Sequence, residues 1–210
     1  MTVDRPTFEY EEALWQRGSL YVAGIDEVGR GALAGPVVAA AVIVPAFSQL
    51  EGVWCQVRDS KQLSALRRQV LEKEIQQQAL AWAIGKVEAE IIDQVGIAEA
   101  TRRAMLEAIA RLAVQPDHLL IDWVNLSQAG IAQHSMPKAD ARIASVAAAS
   151  ILAKVYRDRL MCEADLCYPD YGFAKHKGYG SAAHLAAIEQ HGPSPIHRRS
   201  FAPLLQLKLF

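Results

Sequence analysis

A mixed-sheet domain of the α/β or α+β class is the fold this sequence predicts, and three observations carry the expectation. Two apolar runs, Tyr21-Val22-Ala23-Gly24-Ile25 and Pro36–Val44, lie close together and are separated by a glycine-rich turn. After them, strand-like and helix-like periodicities alternate along the chain. The composition, 51% hydrophobic and 21% charged over 210 residues, suits a globular chain with one sizeable core, so a single domain over 1–210 is expected.

Taken in order, residues 19–27 and 35–44 read as two strands joined as a hairpin across the Gly29–Gly35 turn, and 52–57 reads as a third. Ser64 stands where a helix N-cap belongs, and Leu66, Val70 and Ile75 mark one apolar face of a helix to about Gln78. Residues 80–88 resemble another strand. Ile97, Thr101, Ala104, Ala108 and Leu112 recur at helical spacing, and His118-Leu119-Leu120-Ile121-Asp122 follows as a short buried strand ending in an acid. Residues 141–165 are rich in alanine and contain no glycine or proline, which suits a helix packed close to a sheet. The stretch Tyr168–Gly180 is irregular, a short helix is expected near 181–190, and a helical end after Phe201.

Some function classes are excluded early. No N-terminal segment has the make-up of a secretory leader, and the longest apolar run, Pro36 to Phe47, is too short to span a bilayer, which points to a cytoplasmic protein with no membrane partner. Cys55, Cys162 and Cys167 cannot all pair with one another and lack the spacing of a structural zinc site, so buried or inert thiols are expected. The net charge of −1 does not advertise a nucleic-acid binder. It is unevenly spread, however: from Lys154 onward there are 8 Lys/Arg against 5 Asp/Glu, and four of the six histidines.

Chemistry concentrates at the ends of the predicted strands. Asp26 and Glu27 follow an apolar strand directly, Asp122 ends another, and Asp140 stands beside the alanine-rich helix. Any one of them could be a cap or turn residue. Four converging carboxylates, by contrast, suit a hard cation such as Mg²⁺, which takes oxygen ligands and keeps waters for a substrate phosphate to replace. Gly29-Arg30-Gly31 lets backbone amides come close to a sugar or phosphate. Ser60 and Lys61 in the polar loop before Ser64 are placed to contact a phosphate backbone. His176-Lys177-Gly178-Tyr179-Gly180 and His197-Arg198-Arg199-Ser200-Phe201 interleave cations with aromatics, which suits a nucleic-acid strand. His118 and His134 have no ligand spacing around them and read as packing or surface residues.

Together these segments resemble the ribonuclease HII family from about Tyr21 to Phe201. The resemblance rests on Gly24-Ile25-Asp26-Glu27-Val28-Gly29-Arg30-Gly31-Ala32-Leu33-Ala34-Gly35-Pro36, Asp59-Ser60-Lys61-Gln62-Leu63-Ser64, Leu120-Ile121-Asp122, Ala147-Ala148-Ala149-Ser150-Ile151-Leu152-Ala153-Lys154-Val155, and His176-Lys177-Gly178-Tyr179-Gly180. It implies a ribonuclease H-like fold, a mixed five-stranded sheet flanked by helices. The core would lie at about 19–165 and a helical, substrate-contacting extension at about 166–210.

The resemblance further implies an endonuclease that cuts the RNA strand of RNA/DNA hybrids, or 5′ of a single ribonucleotide in duplex DNA, leaving 3′-hydroxyl and 5′-phosphate ends. Asp26, Glu27, Asp122 and Asp140 would hold two divalent ions, Mg²⁺ or Mn²⁺, with Asp26 between them. Gly29, Arg30 and Gly31 would read the ribose 2′-hydroxyl, Tyr179 would stack on the following deoxyribose, and Ser60, Lys61, Lys154 and Lys177 would contact the nucleic acid. The acting species would be a monomer, with a sliding clamp as an open partner question raised by the apolar end Leu204–Phe210, which reads first as a helix packed on the body.

Three positions depart from the family pattern. Trp123-Val124-Asn125 follows Asp122 where Gly-Asn is usual, so that loop is expected to be reshaped; Ala139 replaces a glycine, and Ile143 a small polar residue. Two rival readings are a metal-dependent DNA nuclease of the same superfold, such as a junction resolvase, and a catalytically silent hybrid-binding protein. The Gly29–Gly31 turn and Tyr179 argue against the first. The four acids argue against the second, because a pure binder gains nothing from negative charge beside phosphates.

Overall fold

The computed structural model describes residues 5–205. In chain order its elements are α1 (Glu9–Trp15), β1 (Val22–Val28), β2 (Val37–Ile43), α2 (Ala65–Gln78), β3 (Ala81–Val87), α3 (Ala89–Val95), α4 (Ile97–Ala110), β4 (His118–Asp122), β5 (Ala132–Met136), α5 (Ala144–Cys167), α6 (Phe173–His176) and α7 (Ala182–His191). The five strands form one sheet in the order β3-β2-β1-β4-β5. β1–β2 and β2–β3 are antiparallel, whereas β1–β4 and β4–β5 are parallel. The expected mixed five-stranded sheet with helices on its faces is therefore present.

Period-two alternation divides the strands between two cores. Val22, Val38, Ala40, Val42 and Leu120 pack beneath α5 with Leu71 and Ile75 of α2 and Phe8 and Trp15 around α1. Ala23, Ile25, Ala39, Ala41, Leu119 and Ile121 pack on the opposite face against Ile92 of α3 and Ala100, Ala104 and Met105 of α4. The missing side chain of Gly24 is what lets α5 lie close: a Cβ there would stand 2.2 Å from the Ser145 carbonyl carbon and 2.4 Å from the Val146 nitrogen, so β1 and α5 meet almost backbone to backbone.

Several expectations need correction. Residues 52–57 form consecutive turns rather than a strand, with the Trp54 N–H donating to the Glu51 carbonyl and the Val57 N–H to Val53. Their buried residues, Val53, Trp54 and Val57, follow a helical spacing. In α2 the Ser64 hydroxyl accepts from the Arg67 N–H as expected of an N-cap, but the buried face is Leu71 and Ile75, and Leu66 is 73% exposed.

The alanine-rich helix begins at Ala144, not 141, and Asp140 sits in a 3-10 turn, Ala139–Ala141, before it. All three cysteines are exposed thiols rather than buried ones. Phe201–Leu205 are turns, and the rest of the expected C-terminal helix lies outside the described residues.

Four elements, α1, α3, β5 and α6, had no signal, α6 falling with a 3-10 turn at Pro169–Tyr171 inside the stretch expected to be irregular. β5 is polar, Ala-Gln-His-Ser-Met, because it is an edge strand paired only with β4. α1 carries Glu11, which is fully buried and accepts the Ser145 N–H at 2.9 Å. Glu11 thereby caps the first turn of α5, whose own N-cap residue Ile143 supplies no side-chain bond.

Candidate active site

Parallel pairing of β1 and β4 brings their C-terminal ends to the same edge of the sheet, with Ile25 opposite Ile121. Asp26 and Asp122, each one residue further on, therefore project from the same face, toward α5. Glu27 projects from the other. The 3-10 turn before α5 adds Asp140. Asp26, Glu27, Asp122 and Asp140 all line one cleft of 340 Å³, together with Val28, Ser60, Lys61, Ser150, Lys154 and Tyr179.

A groove of 500 Å³ between α2 and α5 is larger, but its carboxylates are already paired. Glu72 accepts from Arg159 at 3.0 Å, and Asp158 from Lys154 at 2.7 Å. Of these two, the smaller cleft is the one that, among the described residues, holds carboxylates outside any salt bridge, those of Asp26, Asp122 and Asp140.

Electrostatics in the cleft are those of charge waiting for a counter-charge. Asp26 is 5% exposed. Burial first, then the Glu27 carboxylate, and more weakly Asp122 and Asp140, push its carboxyl well above the usual carboxylate range. Burial likewise raises Glu27, Asp122 and Asp140, against the pull of the Trp123 and Arg30 donors on Glu27, the Ala139 N–H on Asp122 and the Lys61 cation on both aspartates.

Among the described residues, no three acid, histidine or cysteine side chains are gathered closely enough to hold an ion outright. Mg²⁺ does not require that, because it is commonly bound by one or two carboxylates with waters and substrate oxygens. One observation fits a cation directly: Glu27 Oε2 is buried with no hydrogen-bond partner.

The remaining candidates divide by location. Ser60 and Lys61 stand at the cleft, and the Ser60 hydroxyl lies 3.0 Å from that of Ser150, one of two serines in the alanine run. Lys154 lines the cleft while its Nζ donates to Asp158. Tyr179 forms part of the wall, half-exposed. Lys177 is not brought to the acids: its Nζ donates to Cys162 Sγ at 3.0 Å, and the side chain lines the α2–α5 groove. Gly29, Arg30 and Gly31 form the turn leaving β1, at the rim. Among the described residues no group accepts the N–H of Arg30 or of Gly31.

Two buried arginines hold this rim: Arg157, which the sequence reading passed over, and Arg198, which it placed with His197 among cations facing a nucleic-acid strand but which, like His197, is buried. Arg157 donates through Nε to the Pro36 carbonyl at 2.9 Å, through Nη1 to Lys177 at 2.9 Å and through Nη2 to Ala34 at 3.0 Å. Its guanidinium also lies 5.4 Å from the Tyr179 ring centre. Arg198 donates to the carbonyls of Gly35 at 3.0 Å and Arg30 at 2.8 Å.

Together they tie the turn after β1 to the loop bearing Tyr179. Gly29 follows from this packing: its φ is +91°, and a Cβ there would lie 2.1 Å from Arg157 Nε. In sequence, Arg157 is one of several charges on a helix, and nothing local marks it as buried.

The departure at Trp123 also lies at the site. Its indole N–H donates to Glu27 Oε1 at 3.1 Å, and the Arg30 guanidinium lies 4.0 Å over its ring.

Similarity to known proteins extends over most of the chain. Residues 23–204 match the family model described as Ribonuclease HII. A ribonuclease HII of Herpetosiphon aurantiacus is 53% identical over 195 residues, covering 92% of this chain and 94% of its own length. Among solved structures, ribonuclease H2 of Pyrococcus horikoshii is similar with a TM-score of 0.77 and 28% identity, over 89% of this chain and 96% of that one. The ribonuclease HII of a PCNA complex from Archaeoglobus fulgidus is similar with a TM-score of 0.72 and 30% identity, over 85% and 94%.

Proposed function

Because the chain belongs to the ribonuclease HII family, and is thereby a hydrolytic nuclease, we propose that it hydrolyses the RNA strand of RNA/DNA hybrids and cuts 5′ of single ribonucleotides embedded in duplex DNA, leaving 3′-hydroxyl and 5′-phosphate ends. The observation that carries the reading is the meeting of four carboxylates from β1, β4 and the 3-10 turn in one cleft. Asp26, Glu27, Asp122 and Asp140 are the residues that would hold two divalent ions, Mg²⁺ or Mn²⁺. Such ions would neutralise the scissile phosphate and supply an activated water.

The protein's own groups do the rest. Asp26, buried and within the influence of Glu27 and Asp122, would be the central ligand, and Asp140 in the same cleft would help to orient the water. Arg30 and Gly31 present N–H groups at the rim, where a ribose 2′-hydroxyl can accept from them and a deoxyribose cannot. Tyr179 offers a half-exposed ring for the neighbouring sugar. Ser60, Lys61 and Lys154 meet the phosphate backbone from inside the cleft, and Lys177 from the adjoining groove.

In this reading residues 1–210 act as one catalytic unit, with a core at about 19–165 and a substrate-contacting extension at about 166–210. It works as a cytoplasmic monomer. Among the described residues no helix is long and apolar enough to cross a membrane. The archaeal complex with PCNA makes a sliding clamp the first protein partner to assay.

A labelled DNA duplex with one ribonucleotide, an RNA/DNA hybrid and an all-DNA duplex, each incubated with Mg²⁺, Mn²⁺ or chelator, test the proposal. Cutting of the first two, dependent on metal and abolished by Asp26→Asn, is expected. Absence of any metal-dependent nick at the ribonucleotide would sink the single-ribonucleotide activity, and cutting of all-DNA duplex would favour a DNA nuclease instead.

A further inference from the structure

Trp123 occupies a backbone position suited to glycine, and its contacts show what keeps it there. Its φ is +48°, in the left-handed region that bulky side chains rarely adopt. The chain enters this conformation directly after Asp122, with the Trp123 N–H bonded to the Met136 carbonyl at 2.9 Å. The side chain is 45% exposed, so burial does not account for it.

Two contacts do. The indole N–H donates to Glu27 Oε1 at 3.1 Å, and the ring face carries the Arg30 guanidinium at 4.0 Å. Arg30 Nη1 lies 3.7 Å from the same Glu27 oxygen. One residue thus touches both an acid of the cleft and the central side chain of the Gly29–Gly31 turn.

The geometry points to Trp123 as a positioning residue that couples the two halves of the site, fixing the Glu27 carboxylate for the cation and the Arg30 turn for the ribose. This inference rests on the function proposed above. Tryptophan combines a flat ring that can carry a guanidinium with an N–H at its edge that can reach the carboxylate. With Oε1 held by the indole and Arg30, Oε2 is left buried, unpaired and fixed in direction. The ring also occupies Arg30, which stays near one carboxylate oxygen and does not close a two-pronged pair across both. Cation binding at Glu27 and ribonucleotide binding at the turn are then linked, each favouring the arrangement the other needs.

The test uses the full chain and two substitutions. Trp123→Phe keeps a ring for Arg30 and removes the N–H; Trp123→Leu removes both. Calorimetric titration of Mn²⁺ into the free protein is expected to show about ten-fold weaker binding for Trp123→Phe, the scale of loss seen when a group orienting a metal ligand is removed.

On the single-ribonucleotide duplex at saturating Mn²⁺, Trp123→Phe is expected to retain the wild-type KM, whereas Trp123→Leu raises it several-fold. Unchanged or tighter Mn²⁺ binding by Trp123→Phe, or a wild-type KM in Trp123→Leu, overturns the coupling. Thermal melting of both variants within a few degrees of wild type excludes a general loss of fold, and Trp123→Phe alone decides if the leucine variant melts early. Mn²⁺ titration needs no turnover. A wild-type protein that fails to cut would therefore count against the proposed function, while the difference in Mn²⁺ affinity would still decide the role of Trp123.

Discussion

Replacing Arg157 with methionine should cost the protein much of its stability and detach its substrate-facing loops from one another. Arg157 is fully buried, and its three bonds of 2.9, 2.9 and 3.0 Å go to carbonyls of Pro36, Lys177 and Ala34. A buried acceptor left unpaired costs about 1–3 kcal/mol, so three of them sum to several kcal/mol. Against this stands the desolvation of the guanidinium, which methionine does not carry. A net loss of about 3 kcal/mol is expected.

With a urea m-value of about 2 kcal/mol/M, that loss lowers the unfolding midpoint by about 1.5 M. Arg157→Lys should fall close to methionine, because one ammonium cannot reproduce a planar fork that reaches three segments. At temperatures where the variant is still folded, cutting at a ribonucleotide should fall about 100-fold, the scale of loss from a misplacement near 1 Å. Urea titration with single-turnover cleavage checks both effects. A midpoint shift under about 0.5 M, or a lysine variant equal to wild type, would refute the reasoning.

Two other outcomes follow from the same structure. Burial raises the Glu11 carboxyl from 4.5 to about 7, so the folded state holds that proton more tightly than the unfolded chain, and stability is lost as pH rises from about 4.5 to about 7. Glu11→Gln keeps an acceptor for the Ser145 N–H and removes this loss. In denaturant titrations it should match wild type near pH 4 and exceed it by up to about 3 kcal/mol at pH 8, and equal stability at pH 8 would contradict the assignment.

Gly29→Ala and Gly31→Ala should separate packing from substrate contact. At Gly29 the added Cβ meets Arg157 and the φ is positive, whereas at Gly31 there is open space. Thermal melting should therefore show Gly29→Ala destabilised by about 1–3 kcal/mol and Gly31→Ala within about 0.5 kcal/mol of wild type. The reverse order would be evidence against the packing described.

Most of the framework was legible because hydrophobic periodicity reports burial. The hairpin, α2, β3, α4, β4 and the long helix α5 were all expected from it. Where burial and pattern part company, the reading failed. β5 is an edge strand with a polar sequence, α1 hides an acid, and Val53, Trp54 and Val57 are buried in turns whose apolar residues imitate a strand. In α2 the exposed Leu66 belongs to a groove and not to the core, a distinction that needs α5 in place beside it.

The sequence by itself determined the chemical inventory: acids at strand ends, a glycine turn able to approach a sugar, and cations and aromatics toward the C-terminus. Local patterns suffice for that, because strand ends and turns are written in consecutive residues. Only the tertiary structure decided which groups meet. Parallel pairing of β1 with β4 sets Asp122 beside Asp26, the turn before α5 adds Asp140, and Lys177 is directed elsewhere. It also decided that Arg157, Arg198 and Trp123 support the site, since residues from opposite ends of the chain become neighbours only when the sheet and α5 have closed around a shared core.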